Sequence, residues 1–211
     1  MTAQVAQGAQ GARRRRGGAV ARERMLEEAM RAIAQHGLAT LTMSGLAERL
    51  GTSGGHILYY FGSKDRLLLE ALRWSEDRLT EDRRALLSRR TTVPRRLDAF
   101  LGLYLPEGPR DSRWMLWVEL WARSARDGEL TAAQEEIDRA WQEDLEQLLL
   151  RGVRQGRLGL TAQEVPAAAD ELLALLDGLS TRVVLGLRGA TREGALETAR
   201  RAARHATRPL G

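Results

Sequence analysis

Residues 42–61, TMSGLAERLGTSGGHILYYF, read as a helix, a tight turn and a second short helix. Thr42 offers a hydroxyl to the first unpaired backbone amides, as an N-cap does. Met43, Leu46, Ala47 and Leu50 then recur at helical spacing and form one apolar edge. Gly51 ends this helix, because glycine takes left-handed dihedrals without strain. Ser53 caps the next helix, with Ile57, Leu58, Tyr60 and Phe61 expected at its apolar positions and Gly54, His56 and Tyr59 facing outwards. Two short helices joined this way form a helix-turn-helix, whose second helix can lie in the DNA major groove with its first side chains on base edges. A helical hairpin alone is common in all-α proteins. Here the outward residues are small or hydrogen-bonding, as a helix pressed into a groove requires. Gly62, Ser63 and Lys64 follow, placing a cation beside a helix N-terminus whose amides can hold a phosphate. The expected DNA-facing set is Thr42, Ser44, Ser53, Gly54, His56, Tyr59, Tyr60 and Lys64.

The run from Gly51 to Lys64 also resembles the signature of TetR-type transcriptional regulators. So does the approach to it, through Arg24, Met25, Leu26, Ala29, Ile33, Gly37, Thr42, Leu46 and Ala47. Leu58 stands where many members have tyrosine, and Ile33 where many have phenylalanine. Both keep an apolar residue, while a hydroxyl contact from position 58 is lost. The resemblance implies a homodimer on a palindromic operator, with helices one to three on DNA. Helices four to nine would dimerise and enclose a small-molecule pocket, and the ligand would move the fourth helix and respace the two reading heads.

The chain has 211 residues, 43% of them hydrophobic and 29% charged, enough to bury a core and remain soluble. It has no cysteine, which excludes a disulfide scaffold and a thiolate zinc site and fits a reducing cytoplasm. No uncharged apolar run approaches the roughly 20 residues of a membrane span, so no membrane partner is expected. Nor does an apolar segment follow the N-terminal arginines as in a secretory signal. Net charge is +5. Residues 19–79, the expected helix-turn-helix domain, hold eight basic and eight acidic residues, so that domain is neutral. Residues 1–18 instead carry Arg13, Arg14, Arg15 and Arg16 without an acid. Their composition predicts disorder. They are either an inert leader or a basic arm that follows phosphates or enters a minor groove.

Residues 80–211 are expected to form the ligand-binding and dimerisation domain. The whole chain then reads as all-α, a three-helix DNA unit followed by a helical bundle, about nine helices in total. The first helix spans about Ala19 to His36. The fourth spans Ser63 to about Arg90 and can join the two parts; the residue before Pro94 is pushed out of helix. The fifth runs from Pro94 to Leu105. The sixth, Asp111 to Arg126, has Trp114, Trp117, Val118 and Trp121 on one side and Leu116 and Leu120 opposite. A helix apolar on two sides belongs inside a bundle. Glu119 and Arg123, one turn apart, read as an ion pair. The seventh carries Ile137, Trp141, Leu145, Leu148 and Gly152. The eighth, Pro166 to about Arg188, has a core face of Leu172, Leu175, Leu176, Leu179 and Val183. Its second stripe is Ala174, Gly178, Thr181 and Leu185. The ninth, Thr191 to His205, has Ala195, Ala199 and Ala202 among an alanine stripe. Small outer faces on the last two helices predict a four-helix dimer interface.

Residues from Trp117 to about Leu187 are similar to the C-terminal domain of the choline-responsive branch of TetR regulators. The likeness rests on Trp121-Ala122-Arg123, Asp127-Gly128-Glu129-Leu130, Gly152-Val153 and Leu175-Leu176-Asp177-Gly178-Leu179. Trp74, Tyr104, Trp117, Trp121 and Trp141 could converge on a cavity between helices four and eight, with Asp177 at its edge. Aromatic walls suit a flat hydrophobic or a cationic ligand. No cofactor or catalytic constellation is expected. His36, His56 and His205 stand on separate helices without metal-ligand spacing, and no glycine-rich loop has the spacing of a nucleotide site. The favoured reading is a one-component repressor. Two alternatives stay open: a DNA-binding regulator with a solid bundle and no ligand, and an all-α enzyme.

Overall fold

The computed structural model describes residues 21–207. The expected basic arm, Arg13 to Arg16, lies outside the described residues. Among those residues the chain forms nine α-helices and no strand. They are α1 (21–36), α2 (Met43–Leu50), α3 (Gly54–Phe61), α4 (Lys64–Ser88), α5 (Val93–Tyr104), α6 (Ser112–Ser124), α7 (Gly128–Arg154), α8 (Val165–Val184) and α9 (Arg192–Ala206). The chain divides into two compact units, Met1–Trp74 and Ser75–Gly211. The division falls inside α4, a little before the boundary after residue 79 expected from sequence.

In the first unit, Met25, Leu26, Ala29 and Ile33 of α1 are buried with Leu38 and Leu41 of the following turn. Leu46 and Ala47 of α2, Ile57 and Phe61 of α3, and Leu67, Leu68 and Leu72 of α4 complete the core. Each such leucine or phenylalanine contributes about 1.5–3 kcal/mol on burial. Leu58 departs from expectation. Its spacing assigns it to the apolar face of α3, yet it is 47% exposed, because α3 turns only Ile57 and Phe61 fully inward.

In the second unit, α6 is the interior helix. Trp114, Leu116, Trp117 and Leu120 are buried, and no residue from Asp111 to Leu120 is fully exposed. Around it α7 packs on α5, α6 and α8, while α9 packs on α5 and α8. Arg123 donates to Glu119 at 2.5 Å, the one-turn pair read from sequence.

Two expectations for the last helices need correction. First, α8 stops at Val184, not near Arg188. Gly186 takes a left-handed φ of 64°, and a short 3-10 turn, Leu187–Gly189, follows. Leu185 is therefore the C-cap of α8 and stands 47% exposed. Leu175 and Leu179, placed on the core face, are half-buried. Second, Ala195 and Ala199 of α9 are buried inside the protomer together with Ala203. Their stripe is the inward face of α9 and has no surface left to give a partner; the small side chains let α9 approach α5 and α8 closely. Ala202 is half-buried. On α8, Ala174 and Gly178 are exposed and Thr181 is half-buried.

Candidate DNA-reading face and aromatic cage

Two N-caps set the helix-turn-helix. The Thr42 side chain accepts from the Gly45 amide at 2.9 Å, and the Ser53 hydroxyl accepts from the His56 amide at 3.2 Å. Such caps contribute about 1 kcal/mol each. Between them Gly51, at φ 64°, closes α2 in the left-handed region. The reading helix α3 has no charged residue, so any charge opposite phosphate must come from its flanks. Tyr59 is its most exposed large side chain, at 85%. His56 is exposed, with Nδ1 at 2.8 Å from Thr52 Oγ1, which leaves Nε2 directed away from the turn. Tyr60 is half-buried against both, its ring centroid 5.1 Å from His56 and 5.7 Å from Tyr59.

Ser44 and Gly54 are coupled. A Cβ at Gly54 would lie 3.3 Å from Ser44 Oγ and 3.5 Å from Ser44 Cα. Gly54 therefore faces α2 at the crossing of the two helices. It does not present an open surface, as the sequence reading expected. Ser44 remains exposed. Lys64 opens α4 with Nζ at 3.4 Å from the Ala39 carbonyl, so its charge stands beside the turn before α2.

The second unit brings together five of the six ligand candidates. Tyr104, Trp117, Trp121, Trp141 and Asp177 line one small cavity, joined by Arg113, Trp114 and Asp138. The sixth, Trp74, is the last residue of the first unit and is half-buried there. The rings form a continuous cluster. Tyr104 meets Trp141 edge-on at 4.8 Å and Trp114 at 5.7 Å, and Trp121 lies 6.0 Å from Trp114 and 6.1 Å from Trp117. Aromatic pairs favour such tilted and edge contacts. The space left between them is about 10 Å3, room for one water.

Charge surrounds these rings. Glu76, 5% exposed, accepts the Trp117 indole N–H on Oε1 and the Trp141 indole N–H on Oε2, both at 3.0 Å. Arg113 donates to the Tyr104 carbonyl at 2.6 Å, sits 3.7 Å from Glu76 Oε1, and places its guanidinium 5.2 Å from the Trp114 ring centre. On the far side of the cluster the buried Arg83 pairs with Asp144 and lies 4.1 Å from the Trp141 ring centre. Burial raises the pKa of Asp177, partly offset by the hydrogen bond from Tyr104. Asp138 is pushed up to about 6, first by the burial of its carboxyl group and then by Asp177, although the residue as a whole is exposed. Tyr104, raised far above the ordinary phenol range by burial and by Asp177, stays protonated.

Sequence reading missed Glu76, Arg113, Trp114 and Asp138 as site residues. Glu76 carried a legible signal: it continues the stripe of Leu68 and Leu72 at four-residue spacing, so a carboxylate falls on a buried line. Arg113 and Asp138 flank apolar positions and gave none. Among the described residues no group of histidines and carboxylates could hold a metal ion, and no helix is long and apolar enough to cross a membrane.

The first unit is that of a helix-turn-helix DNA-binding protein, and the second is a helical unit with a charged aromatic cage. Residues 25–71 match the family described as bacterial regulatory proteins, tetR family, and residues 94–208 match the BetI-type transcriptional repressor C-terminal family. Over 172 residues the chain is 31% identical to the HTH-type transcriptional regulator BetI of Escherichia coli O127:H6, covering 79% of this chain and 83% of that one. Identity to the regulator of the same name from Shigella flexneri serotype 5b is 30% over the same coverage. A crystal structure of a transcriptional regulator from Saccharomonospora viridis in complex with choline superposes with a TM-score of 0.81 at 29% identity, covering 89% of this chain and 97% of that one. A TetR regulator from Haloarcula marismortui shares the fold, with a TM-score of 0.75 at 23% identity over 90% and 97% of the two chains. The chain belongs to the TetR family of bacterial regulatory proteins, with a BetI-type C-terminal domain. It is a DNA-binding transcription regulator, not an enzyme.

Proposed function

We propose that two copies of this chain bind a palindromic operator and repress transcription in the cytoplasm, and that a small organic cation of the quaternary ammonium class releases them. The cage carries this reading. The rings of Tyr104, Trp114, Trp117, Trp121 and Trp141 stand beside Glu76, Asp138 and Asp177, three carboxylates against the guanidinium of Arg113, while the second guanidinium at these rings, Arg83 over Trp141, is paired with Asp144. Aromatic faces attract cations, and recognition of quaternary ammonium groups by aromatic cages is a known use of that attraction. The choline held by the Saccharomonospora viridis regulator supports the same ligand class. Glu76 lies on α4, whose first turns belong to the DNA-reading unit, so a ligand that alters the cage acts on the helix the two units share. It releases DNA only if it binds the non-DNA conformation better. The exposed residues Ala174, Gly178 and Leu185, with Thr181 and Ala202 beside them, are the proposed dimer face.

A second reading has its own observation. The cage closes to about 10 Å3, which favours a solid bundle and a regulator without a small ligand. Gel shifts with DNA from upstream of the chain's own gene, with and without choline, separate the two. Binding that millimolar choline weakens supports the first reading. Binding insensitive to choline, with no change in melting temperature, supports the second. No binding at low salt and micromolar protein overturns both.

A further inference from the structure

We infer that Arg113 is an internal occupant of the cation site, and that a cationic ligand enters by displacing its guanidinium from Glu76 and the face of Trp114. This rests on the quaternary ammonium reading above and adds to it how the site is gated and why a neutral ligand is refused.

The argument begins with space. About 10 Å3 cannot hold an organic cation, so some lining group must leave. Four of the five rings are poor candidates; the half-buried Trp121 meets only Trp114 and Trp117 among them. Trp117 and Trp141 are each tied to Glu76, Trp114 donates its indole N–H to the Tyr104 carbonyl at 3.2 Å, and Tyr104 is tied to Asp177. Moving any of these rings strands a buried polar atom, which costs about 1–3 kcal/mol.

Arg113 differs in three ways. Its side chain is 13% exposed, so a long flexible arm already reaches the rim and can swing into water. Its departure leaves no hydrogen-bond acceptor empty, because the Tyr104 carbonyl keeps the Trp114 N–H and Glu76 Oε1 keeps the Trp117 N–H; only the charge of Glu76 loses its partner. And what it vacates is a cation's place, between a carboxylate 3.7 Å away and an indole face 5.2 Å away. An ammonium group restores both contacts like for like. An uncharged molecule of the same shape leaves Glu76, Asp138 and Asp177 without a cation in a partly desolvated site, so it cannot displace Arg113.

The test uses the full chain and choline, followed by calorimetry. Arg113→Ala is expected to bind choline about fivefold more tightly or better, since a site's apparent affinity is reduced by the fraction of time it is closed. A few millimolar methylguanidinium, filling the vacated place, should return that variant toward wild-type affinity. Wild type should reject the carbon isostere of choline. In wild type the terminal guanidinium N–H groups of Arg113, bonded to the Tyr104 carbonyl and facing Glu76, should lose their protection from solvent exchange as choline binds, a readout that survives if the variant does not fold. Choline binding by wild type with equal or weaker binding by a folded Arg113→Ala, or Arg113 guanidinium N–H groups unchanged by choline, overturns the inference while leaving the ligand class standing. Failure of wild type and variant alike to bind choline or tetramethylammonium overturns the ligand reading, and the inference with it.

Discussion

The Tyr104 hydroxyl donates to the Asp177 carboxylate at 2.6 Å, joining the end of α5 to the middle of α8. Asp177 is half-buried and has no cation of its own in the cage, since Arg113 is directed at Tyr104 O and Glu76. An amide at position 177 still accepts from Tyr104 but removes one negative charge. Asp177→Asn is therefore expected to weaken choline binding by about 1–2 kcal/mol, while the melting temperature at neutral pH holds or rises, because an uncompensated buried charge is removed. Calorimetry and a thermal melt on one preparation check this. A lower melting temperature with unchanged affinity would make Asp177 a structural group only.

Glu76 accepts one indole N–H on each carboxylate oxygen. Glutamine has the same shape but a single acceptor, so either orientation sets an amide NH2 against an indole N–H. Glu76→Gln is expected to cost about 1–3 kcal/mol of stability, the penalty for an unsatisfied buried donor. Denaturant unfolding measures it, and the indole N–H resonances of Trp117 and Trp141 should separate, one keeping its bond and one losing it. Unchanged stability would mean the two bonds contribute nothing net.

On α3, His56→Ala should relax base preference at one or two operator positions, costing about 1–3 kcal/mol on the preferred base. Lys64→Ala should weaken all sequences about equally and lower the salt dependence by about one contact. Binding-site selection on His56→Ala that returns the wild-type motif at full information would remove His56 from base reading.

The helix-turn-helix was legible because its signals are local. Thr42, Gly51 and Ser53 act on atoms within four residues, and the structure shows each doing what its type predicts. Gly54 was misplaced because its role depends on the distance to Ser44 on another helix, which helical periodicity does not encode. The alanines of α9 failed for a related reason. Periodicity shows that Ala195 and Ala199 share a face but not whether it turns to its own protomer or to a partner. In the cage, tryptophans announced a cluster, while Arg113 and Asp138 sit beside apolar positions and acquire meaning only when α5, α6, α7 and α8 converge.

Arg13 to Arg16 give four adjacent charges ahead of a neutral DNA-reading domain. If they meet phosphates, each contact adds about −0.9 to the log–log salt slope. Ordering a segment costs about 1–2 kcal/mol per residue fixed, which limits the gain. Deleting residues 1–16 is expected to reduce the slope by about 1–3 units on operator and non-specific DNA alike. Salt titrations of the two proteins check this, and overlapping slopes would leave the segment an inert leader.

Asp138 makes the cage sensitive to pH. Its pKa is raised from 3.8 to about 6 by burial, then by Asp177, with Glu76 and Glu135 adding and the hydrogen bond from Gln134 opposing. The sign follows from comparing the two states. Between pH 3.8 and about 6 the folded chain keeps a proton that the unfolded chain has released. Asp138 therefore costs nothing below that window, and its penalty grows as pH rises through it and levels off above. Asp138→Asn should raise the melting temperature at neutral pH and leave it unchanged near the acid end of the window. The gain is modest because the residue is exposed and water screens much of its charge. Ligand affinity runs the other way. A fixed cation such as choline needs the ionised carboxylate, so its affinity should fall by up to about tenfold between pH ~7 and pH ~5. Tyr104 does not contribute, since it stays protonated throughout. In Asp138→Asn the fall should shrink. A choline affinity flat across that range in wild type would show that the cation does not sit against Asp138.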